Sequence, residues 1–472
     1  MNKSIWVKTV NSKSLPALEK ELETDILIIG GGLTGMNLAY LLKDTNLNYA
    51  LVEARKIGSG VTSKSTAKIT YLQGNLSKIK NKTNNNNAKL YYNSQIETIS
   101  QLLNIIKKEN IICDLEENVS YLSVLRKENI KKLAEEYKLL KEFNADVELL
   151  DTTNNIKIKG NKTYVFNPLK YLEGLKKILL KEKKQIYEST KVTNIIRKES
   201  YFLVTTEKAI IRSKIVVVAA NYPFFLKPFF APLKLKLEKS YLAAKTSEHK
   251  LYNEINIDQE IHSKRYYKIN NQSYEIILLN SHILGLEKEN HKNYQELKNY
   301  LKNYNYLWTN IDVVTEDYLP IVGKIAQNLY IATGYNTWGM TNSLLAAQIL
   351  KDLLLNKKNK YLDLLSPSRK TYYNLPKNIF LNSVVFLKEL IKPTKQGNVR
   401  YEKRNNIKVA IYTDQYNHEH IVKNQCPHLK CGVIFNEEEL TWECPCHSSI
   451  FDLEGRVIKG PSNFDITYND KK

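Results

Sequence analysis

Two short motifs near the C-terminal end of the chain combine cysteine and histidine. Cys426 and His428 form a Cys-x-His pair, and 15 residues later Cys444 and His447 form a Cys-x-x-His pair. Clustered Cys and His favour a metal or metal-cluster site over a disulfide framework. Two thiolates and two imidazoles suit a tetrahedral zinc ion, and they also suit an iron–sulfur cluster. The ligand types alone therefore leave both sites open.

A glycine-rich motif lies near the N-terminal end. An apolar run at 25–29, typical of a buried parallel strand, leads into Gly30–Gly35, which reads Gly-Gly-Gly-Leu-Thr-Gly. A helical pattern at 36–43 and a second apolar strand at 49–52 follow, and the strand ends at Glu53. Strand, G-x-G-x-x-G, helix, strand and acid in this order predict a dinucleotide-binding unit.

Each part of this unit has a separate role. Gly30 makes the tight turn, Gly32 lets the backbone approach a pyrophosphate, and Gly35 allows the helix to pack closely on the strand. The helix N-terminus offers its free N–H groups to the phosphates, and Glu53 can accept hydrogen bonds from a ribose. These residues do not distinguish FAD from NAD.

The C-terminal pattern closely resembles the Rieske [2Fe–2S] signature, which favours the cluster over zinc. The resemblance implies that two cysteines hold one iron and two histidines the other. The implied iron ligands are Cys426, His428, Cys444 and His447. It further implies a disulfide between Cys431 and Cys446, and a hydroxyl of Ser449 directed at a bridging sulfide.

This segment departs from the Rieske pattern at three positions. Lys430 and Ser448 replace glycines that are common in these loops, so the loop geometry is expected to differ slightly. Phe451 stands where high-potential members have a tyrosine that hydrogen-bonds a ligand sulfur. With fewer hydrogen bonds to sulfur, we expect a lower reduction potential.

The chain from about residue 20 to 365 resembles D-amino-acid-oxidase-like flavoproteins, most closely the branch with gamma-glutamylputrescine oxidoreductase and glycine oxidase. The resemblance rests on segments 54–68, 215–221, 317–323 and 329–341. It implies FAD, held non-covalently because no Cys or His lies in the cofactor segments. The implied cofactor-binding residues are Gly30, Gly32, Leu33, Thr34, Gly35, Glu53, Ala54, Arg55, Ser59, Thr62, Ser65, Thr66, Ala67, Val192, Ala220, Asn221, Gly334, Gly339, Met340 and Thr341.

The catalytic residues are less evident. The family often carries Gln-Phe-His-Pro where this chain has Asn167 in place of the histidine, and no histidine precedes His249. Acid–base chemistry is therefore expected from Lys, Tyr or a bound water. Tyr241 and His282 occupy positions similar to family residues near the substrate pocket, although a buried Tyr and a satisfied surface His are the favoured interpretations.

Composition adds little to this picture. The formal net charge is +21, but Lys, Asn, Ile and Tyr are abundant throughout, and no compact basic block with interleaved aromatics indicates nucleic-acid binding. No apolar stretch is long enough for a membrane span, and nothing at the N-terminus is typical of a signal peptide. We therefore expect a cytoplasmic protein that binds no nucleic acid.

The predicted fold is α/β, with a Rossmann-like FAD-binding domain, a mixed-sheet substrate domain and a small all-β Rieske domain. The expected boundaries are 1–365 for the flavoprotein, with the substrate subdomain at about 78–150 and 235–310, 366–395 for a linker and 396–472 for the Rieske domain. The leading hypothesis is oxidation of an amine or amino acid at FAD, with the cluster relaying single electrons to or from a carrier such as ferredoxin or flavodoxin. The alternative is an electron-transfer or redox-sensing module without an organic substrate.

Overall fold

The structure is a computed structural model of the chain. It describes residues 4–152, 155–223, 234–258, 263–284, 290–370, 395–396, 398–428, 430–445, 449–460, 462 and 464–469. No helix within these ranges is both long enough and apolar enough to cross a membrane.

The elements are numbered in chain order. The strands are β1 (Leu22–Ile29), β2 (Tyr49–Val52), β3 (Lys68–Ile69), β4 (Glu116–Ser123), β5 (Val147–Thr152), β6 (Asn155–Val165), β7 (Gln185–Tyr187), β8 (Val192–Arg197), β9 (Phe202–Thr206), β10 (Ile210–Val218), β11 (Leu235–Thr246), β12 (Tyr252–Asn256), β13 (Ser263–Ile269), β14 (Gln272–Ile283), β15 (Tyr306–Thr315), β16 (Ile321–Ala326), β17 (Leu329–Thr333), β18 (Lys395–Gln396), β19 (Val399–Arg404), β20 (Ile407–Thr413), β21 (Glu419–Lys423), β22 (Ile434–Asn436), β23 (Thr441–Glu443), β24 (Ile450–Phe451) and β25 (Val457–Lys459). The helices are α1 (Leu33–Leu42), α2 (Leu76–Lys82), α3 (Asn85–Lys108), α4 (Ile130–Glu142), α5 (Pro168–Lys181), α6 (Asn290–Leu301), α7 (Gly339–Leu354) and α8 (Leu362–Leu365).

The first sheet is mostly parallel. Its order is β16-β17-β10-β1-β2-β7, and β8 and β9 extend it from β10 as an antiparallel meander. Ile26 and Ile28 of β1 belong to the core shared with α1, α5 and α7, whereas Leu27 and Ile29 belong to the core shared with β8 and β9. Burial on both faces explains why β1 is an unbroken apolar run.

The second sheet is mixed and lies over the first unit. Its order is β15-β11-β14-β13-β12-β4-β6-β3, with β5 paired to β6. Trp308 and Arg265 lie on one face and donate hydrogen bonds to carbonyl oxygens in the segment between β2 and β3. Tyr241 and Leu307 lie on the other face, which packs against α6. The sheet therefore has one face toward the predicted flavin segment and one face away from it.

The C-terminal part consists of two four-stranded antiparallel sheets. Their orders are β18-β19-β20-β21 and β22-β23-β24-β25. Between them lies a small core in which Val422, Trp442 and Phe451 are fully buried. The predicted fold class is confirmed for the FAD-binding, mixed-sheet and all-β parts.

The amphipathic pattern of the sequence predicts two helices at 81–108 and 127–143, which the structure has as α3 and α4. The pattern does not separate α2 from α3, because Thr83 and Asn84 break the helix only briefly, and α5 and α6 were not predicted. The expected linker at 366–395 lies mostly outside the described residues, so its boundaries stay a prediction.

Candidate functional site

The glycine turn after β1 is closely packed on its own backbone. A Cβ atom on Gly35 would lie 1.9 Å from the carbonyl oxygen of Gly30, and one on Gly30 would lie 2.6 Å from the carbonyl oxygen of Ala219. Gly30 also has a φ of +115°, which side chains rarely adopt. These contacts bring the ends of β1 and β10 together with the start of α1.

Glu53 braces this turn from the end of β2. Its Oε2 accepts a hydrogen bond from the N–H of Gly31 at 2.7 Å, and its Oε1 accepts one from the N–H of Arg55 at 3.0 Å. A carboxylate has about four acceptor positions, so two remain for a ribose. Helix α1 begins after Gly32, which has no side chain to cap it, and the N–H of Leu33 donates to Oγ1 of Thr62 at 3.3 Å. The amides that follow in the first turn are the ones a phosphate could bind.

The predicted FAD residues gather at the carboxyl edge of the parallel sheet. The turn at Gly30–Gly35 follows β1, Glu53–Arg55 follows β2, Ala220 and Asn221 follow β10, and Gly334–Thr341 follows β17. Ligands of open parallel sheets bind at this edge. The remaining predicted residues, Ser59, Thr62, Ser65, Thr66 and Ala67, lie between β2 and β3, and Val192 is buried at the start of β8.

Two of these residues test whether the site fits FAD. The Oγ of Ser59 and the Nδ2 of Asn221 are buried without a hydrogen-bond partner among the described residues. An unsatisfied buried polar group is costly. Both atoms belong to the predicted cofactor-binding set, so a polar ligand such as FAD would supply the missing partners.

A buried network of amide and hydroxyl side chains holds the start of α7, where the predicted FAD-binding residues Met340 and Thr341 lie. Thr341 in the first turn of α7 donates from Oγ1 to Oε1 of Gln95 at 2.6 Å, and Nε2 of Gln73 donates to the same oxygen at 3.0 Å. Tyr91 donates to Oε1 of Gln73 at 2.8 Å, and Nε2 of Gln95 donates to Asn342 at 3.0 Å. Sequence reasoning missed this network because its members lie on α3, α7 and a loop.

A buried lysine and arginine were also missed. Lys68 hydrogen-bonds through Nζ to the hydroxyl of Ser263, and burial, with help from the charge of Arg265, lowers the pKa of Lys68 to about 7. Arg265 donates through Nη1 to the carbonyl oxygens of Thr66 and Ala67 at 2.8 and 3.0 Å, and lies 4.8 Å from the ring centroid of Trp6. The only sequence signal was a lysine at the start of a short apolar strand.

The buried Lys68 leads to a pH-dependent stability prediction. An unfolded chain keeps this lysine protonated up to its ordinary pKa of 10.5, whereas the folded chain releases the proton above about 7. Because the unfolded state binds more protons between these values, this group makes wild-type stability rise with pH there, by on the order of 4 kcal/mol. Lys68→Met should therefore stabilise the protein most at or below pH 7, and the gain should shrink toward pH 10.

Urea unfolding followed by tryptophan fluorescence at several pH values would measure this. The exposed Lys358 provides a matched control, since Lys358→Met should change stability little at any pH. A Lys68→Met effect that is the same at every pH would contradict the prediction.

The two catalytic candidates from the sequence, Tyr241 and His282, lie elsewhere, as does Asn167, which replaces the family histidine. Tyr241 and His282 stack at 5.8 Å between ring centroids on the face of the second sheet that packs against Tyr294 of α6. They therefore point away from the face that contacts the flavin segment. Asn167 caps α5 by accepting from the N–H groups of Leu169 and Lys170, and its Nδ2 donates to the hydroxyl of Tyr267.

The two predicted cluster loops have the same backbone closure. The N–H of Cys426 donates to the carbonyl oxygen of Cys431 at 2.7 Å, and the N–H of Cys444 donates to that of Ser449 at 2.7 Å. Each loop thus begins at a cysteine, whose N–H is bonded to the carbonyl oxygen of the residue five positions later. Both first cysteines are buried.

The ligand chemistry fits a Rieske cluster. Burial lowers the pKa of His428, which favours the neutral imidazole that an iron ligand needs. Ser449 is fully buried, and its Oγ accepts from the N–H of Ser462 at 3.1 Å. Among the described residues, no group of three His, Cys, Asp or Glu side chains could bind one metal ion. The predicted cluster does not need such a group, because each of its irons would have two protein ligands.

Several predicted cluster residues lie outside the described ranges, among them His447, Cys446 and Ser448. Cys431 is buried, and its disulfide with Cys446 stays a prediction. Lys430, which replaces a loop glycine, has a φ of 64°, so this position does require the left-handed conformation. Phe451 is fully buried in the small core.

Comparisons with known proteins agree with both sites. Residues 25–353 match the FAD dependent oxidoreductase family, and residues 384–467 match the Rieske [2Fe-2S] domain. The Rieske 2Fe-2S iron-sulfur protein YhfW of Bacillus subtilis (strain 168) is 29% identical over 486 aligned positions, which cover 97% of this chain and 95% of that protein.

Two solved structures share the fold of the larger part. Glycine oxidase from Geobacillus kaustophilus superposes with a TM-score of 0.63 at 16% identity, covering 74% of this chain and 99% of its own. L-amino acid deaminase from Proteus vulgaris superposes with a TM-score of 0.60 at 14% identity, and the match covers 76% of this chain and 99% of that protein's chain. The predicted cofactors, FAD and a [2Fe–2S] cluster, are confirmed by the two matched families. The chain therefore belongs to the FAD-dependent oxidoreductase family and ends in a Rieske [2Fe–2S] domain.

Proposed function

We propose that the protein oxidises an amine or amino acid at FAD and passes the electrons one at a time through the Rieske cluster to an external carrier such as ferredoxin or flavodoxin. FAD supplies a two-electron acceptor for the hydride of a C–N bond, and the cluster supplies single-electron transfer. The domain content supports this division of labour within one chain.

The observation that carries the proposal is a direct contact between the two cofactor regions. Arg55, two residues after the ribose-side Glu53, donates from Nη1 to the carbonyl oxygen of Ile458 in β25 at 2.8 Å. Ile450, which follows the cluster-loop residue Ser449, packs in one apolar cluster with Tyr222 and Ile331 of the flavoprotein. Residues next to both predicted cofactor sites therefore touch each other.

Lys68 is our candidate for the proton transfer of the reaction. Its pKa of about 7 suits an acid–base group near neutral pH. The face of the second sheet that holds Ser263 and Arg265 packs on this lysine and on the predicted flavin segment. In the proposed reaction the substrate ammonium gives its proton to Lys68 as the C–N bond is oxidised.

A panel of amines and amino acids mixed anaerobically with the purified protein tests the proposal. We expect about one FAD and two irons per chain, FAD that is released by acid, and bleaching of the flavin by at least one class of amine. If no amine bleaches a flavin that dithionite still reduces, the protein is an electron-transfer or sensing module instead. One zinc and negligible iron in anaerobically prepared protein would contradict the cluster assignment.

A further inference from the structure

Acidic residues of the Rieske domain lie buried against a lysine of the flavoprotein. Lys239 of β11 has no exposed surface. Its Nζ lies 2.7 Å from Oε1 of Glu443 and 3.4 Å from Oε1 of Glu439. Glu443 ends β23 and directly precedes the cluster cysteine Cys444. The flavoprotein thus holds the strand that leads into the second cluster loop.

Both carboxylates are shared between the two parts of the chain. Glu439 accepts hydrogen bonds from the hydroxyls of Tyr294, at 2.6 Å, and Thr309. Glu443 accepts from Nδ2 of Asn436 in its own domain at 2.8 Å. Burial opposes the charge of Lys239, but the two carboxylates outweigh it and raise its pKa. The lysine stays charged, and inside this interface its charge is neutralised only by carboxylates of the other domain.

A second lysine links this group to the predicted flavin segment. Lys64 ends the short 3-10 helix Val61–Lys64, and its carbonyl oxygen accepts from Nε1 of Trp308 at 2.9 Å. Burial lowers the pKa of Lys64, while the negative charge of Glu439 opposes that shift. Lys239, Glu439 and Glu443 therefore form a largely buried charge cluster between the flavoprotein and the Rieske domain, and Lys64 lies close enough for its pKa to respond to Glu439.

Two further contacts fix the orientation of the domain. Lys298 of α6 pairs with Glu438 at 2.9 Å, and the Arg55–Ile458 hydrogen bond lies next to the apolar contact of Ile450 with Leu237 and Ile311. An interface between domains that is small and wet permits motion. A buried ion pair instead penalises any displacement that separates its partners.

We propose that the Rieske domain works in this single docked position, and that Lys239 is the positioning residue that holds the cluster loop against the flavoprotein during electron transfer. The inference rests on the proposed relay. Each electron that leaves reduced FAD reduces one ferric iron and is then taken by the external one-electron acceptor, while the protons of the flavin go to solvent. No movement of the domain is required between these steps.

The test uses Lys239→Met in the full-length holoprotein carrying a protease site inserted in the expected linker at 366–395. After cleavage, the wild-type fragments should co-elute in gel filtration, whereas those of the variant should separate, because losing one partner of a buried pair weakens association about 100-fold or more. Light-driven reduction of FAD with EDTA as donor, followed by electron paramagnetic resonance, measures electron arrival at the cluster without any substrate. We expect this rate to fall at least about tenfold, with FAD and iron content unchanged.

Lys360→Met is the matched control. Lys360 forms an ion pair of similar length with Glu97, at 2.7 Å, on the exposed surface of the flavoprotein, and its loss should change neither readout. Lys239→Arg keeps the charge and should restore co-elution. If Lys239→Met does not fold, Lys239→Arg is used in its place. Fragments of Lys239→Arg that fail to co-elute would then count against the proposal.

Wild-type fragments that separate, or a Lys239→Met variant with wild-type elution and rate, would overturn the docked arrangement. Because electrons enter by light, failure of every amine to reduce the flavin would count against the proposed function alone.

Discussion

Cys444→Ser protein should contain FAD but no intact cluster, and it should lose carrier reduction altogether. Cys444 is buried and opens a loop whose backbone closes at Ser449, so its thiol is fixed at the predicted ligand position. A serine hydroxyl is much harder to ionise than a thiol, so one iron would lose a strong ligand. The flavin should still be reduced, since the predicted FAD residues end at Thr341.

Anaerobic stopped-flow mixing with a reducing substrate, or with dithionite, followed by ferredoxin addition would measure both steps. Cys113→Ser is a suitable control. Cys113 is a buried free thiol of the flavoprotein whose pKa burial raises to about 12, so it should be inert. Unchanged carrier reduction in a Cys444→Ser protein shown to lack iron would mean that the cluster is not on the electron path.

Gly35→Ala should abolish FAD binding. The added methyl group would lie 1.9 Å from the carbonyl oxygen of Gly30, far inside van der Waals contact, and backbone cannot rotate away as a side chain can. Helix α1 would have to move off β1, which also displaces the amides that face the pyrophosphate. We expect the affinity for FAD to fall by about 100-fold or more, on the scale of severe overpacking.

Flavin content after purification and FAD titration of the apoprotein would measure the effect. Gly60→Ala is the matched control, because a Cβ there meets nothing within 4 Å and its φ is −77°. It should bind FAD like the wild type. Full FAD occupancy in Gly35→Ala would show that the turn is not the phosphate site.

Sequence patterns predicted those parts of the fold whose contacts join residues that are close in sequence. The run before Gly30 became β1, and Glu53 ended β2 as expected, because strand, turn and helix follow each other within about 30 residues. The cysteine–histidine spacing likewise located two loops with the same closure. In these places the sequence neighbours are also the spatial neighbours.

The features that the sequence did not predict depend on contacts between segments that are far apart in the chain. Lys239 and Glu443 are 204 residues apart in sequence, and nothing near either one predicts the other. The face on which Tyr241 lies depends on strand register, and β14 slips by one residue opposite Ser240 and Tyr241. A slip of one residue exchanges the two faces of a strand, so similarity of position could not decide whether Tyr241 faces the flavin.

The buried charge cluster at Lys239 has a consequence for synthesis of the chain. The ribosome completes β11 about 200 residues before Glu439 and Glu443 emerge, and domains generally fold as they leave it, N-terminal first. Until then Lys239 lies in water, beside apolar side chains such as Leu237 and Ile311 that Ile450 will later cover. A nascent or truncated flavoprotein would thus expose an apolar, aggregation-prone surface. The Rieske domain buries that surface in addition to acting as the proposed redox partner.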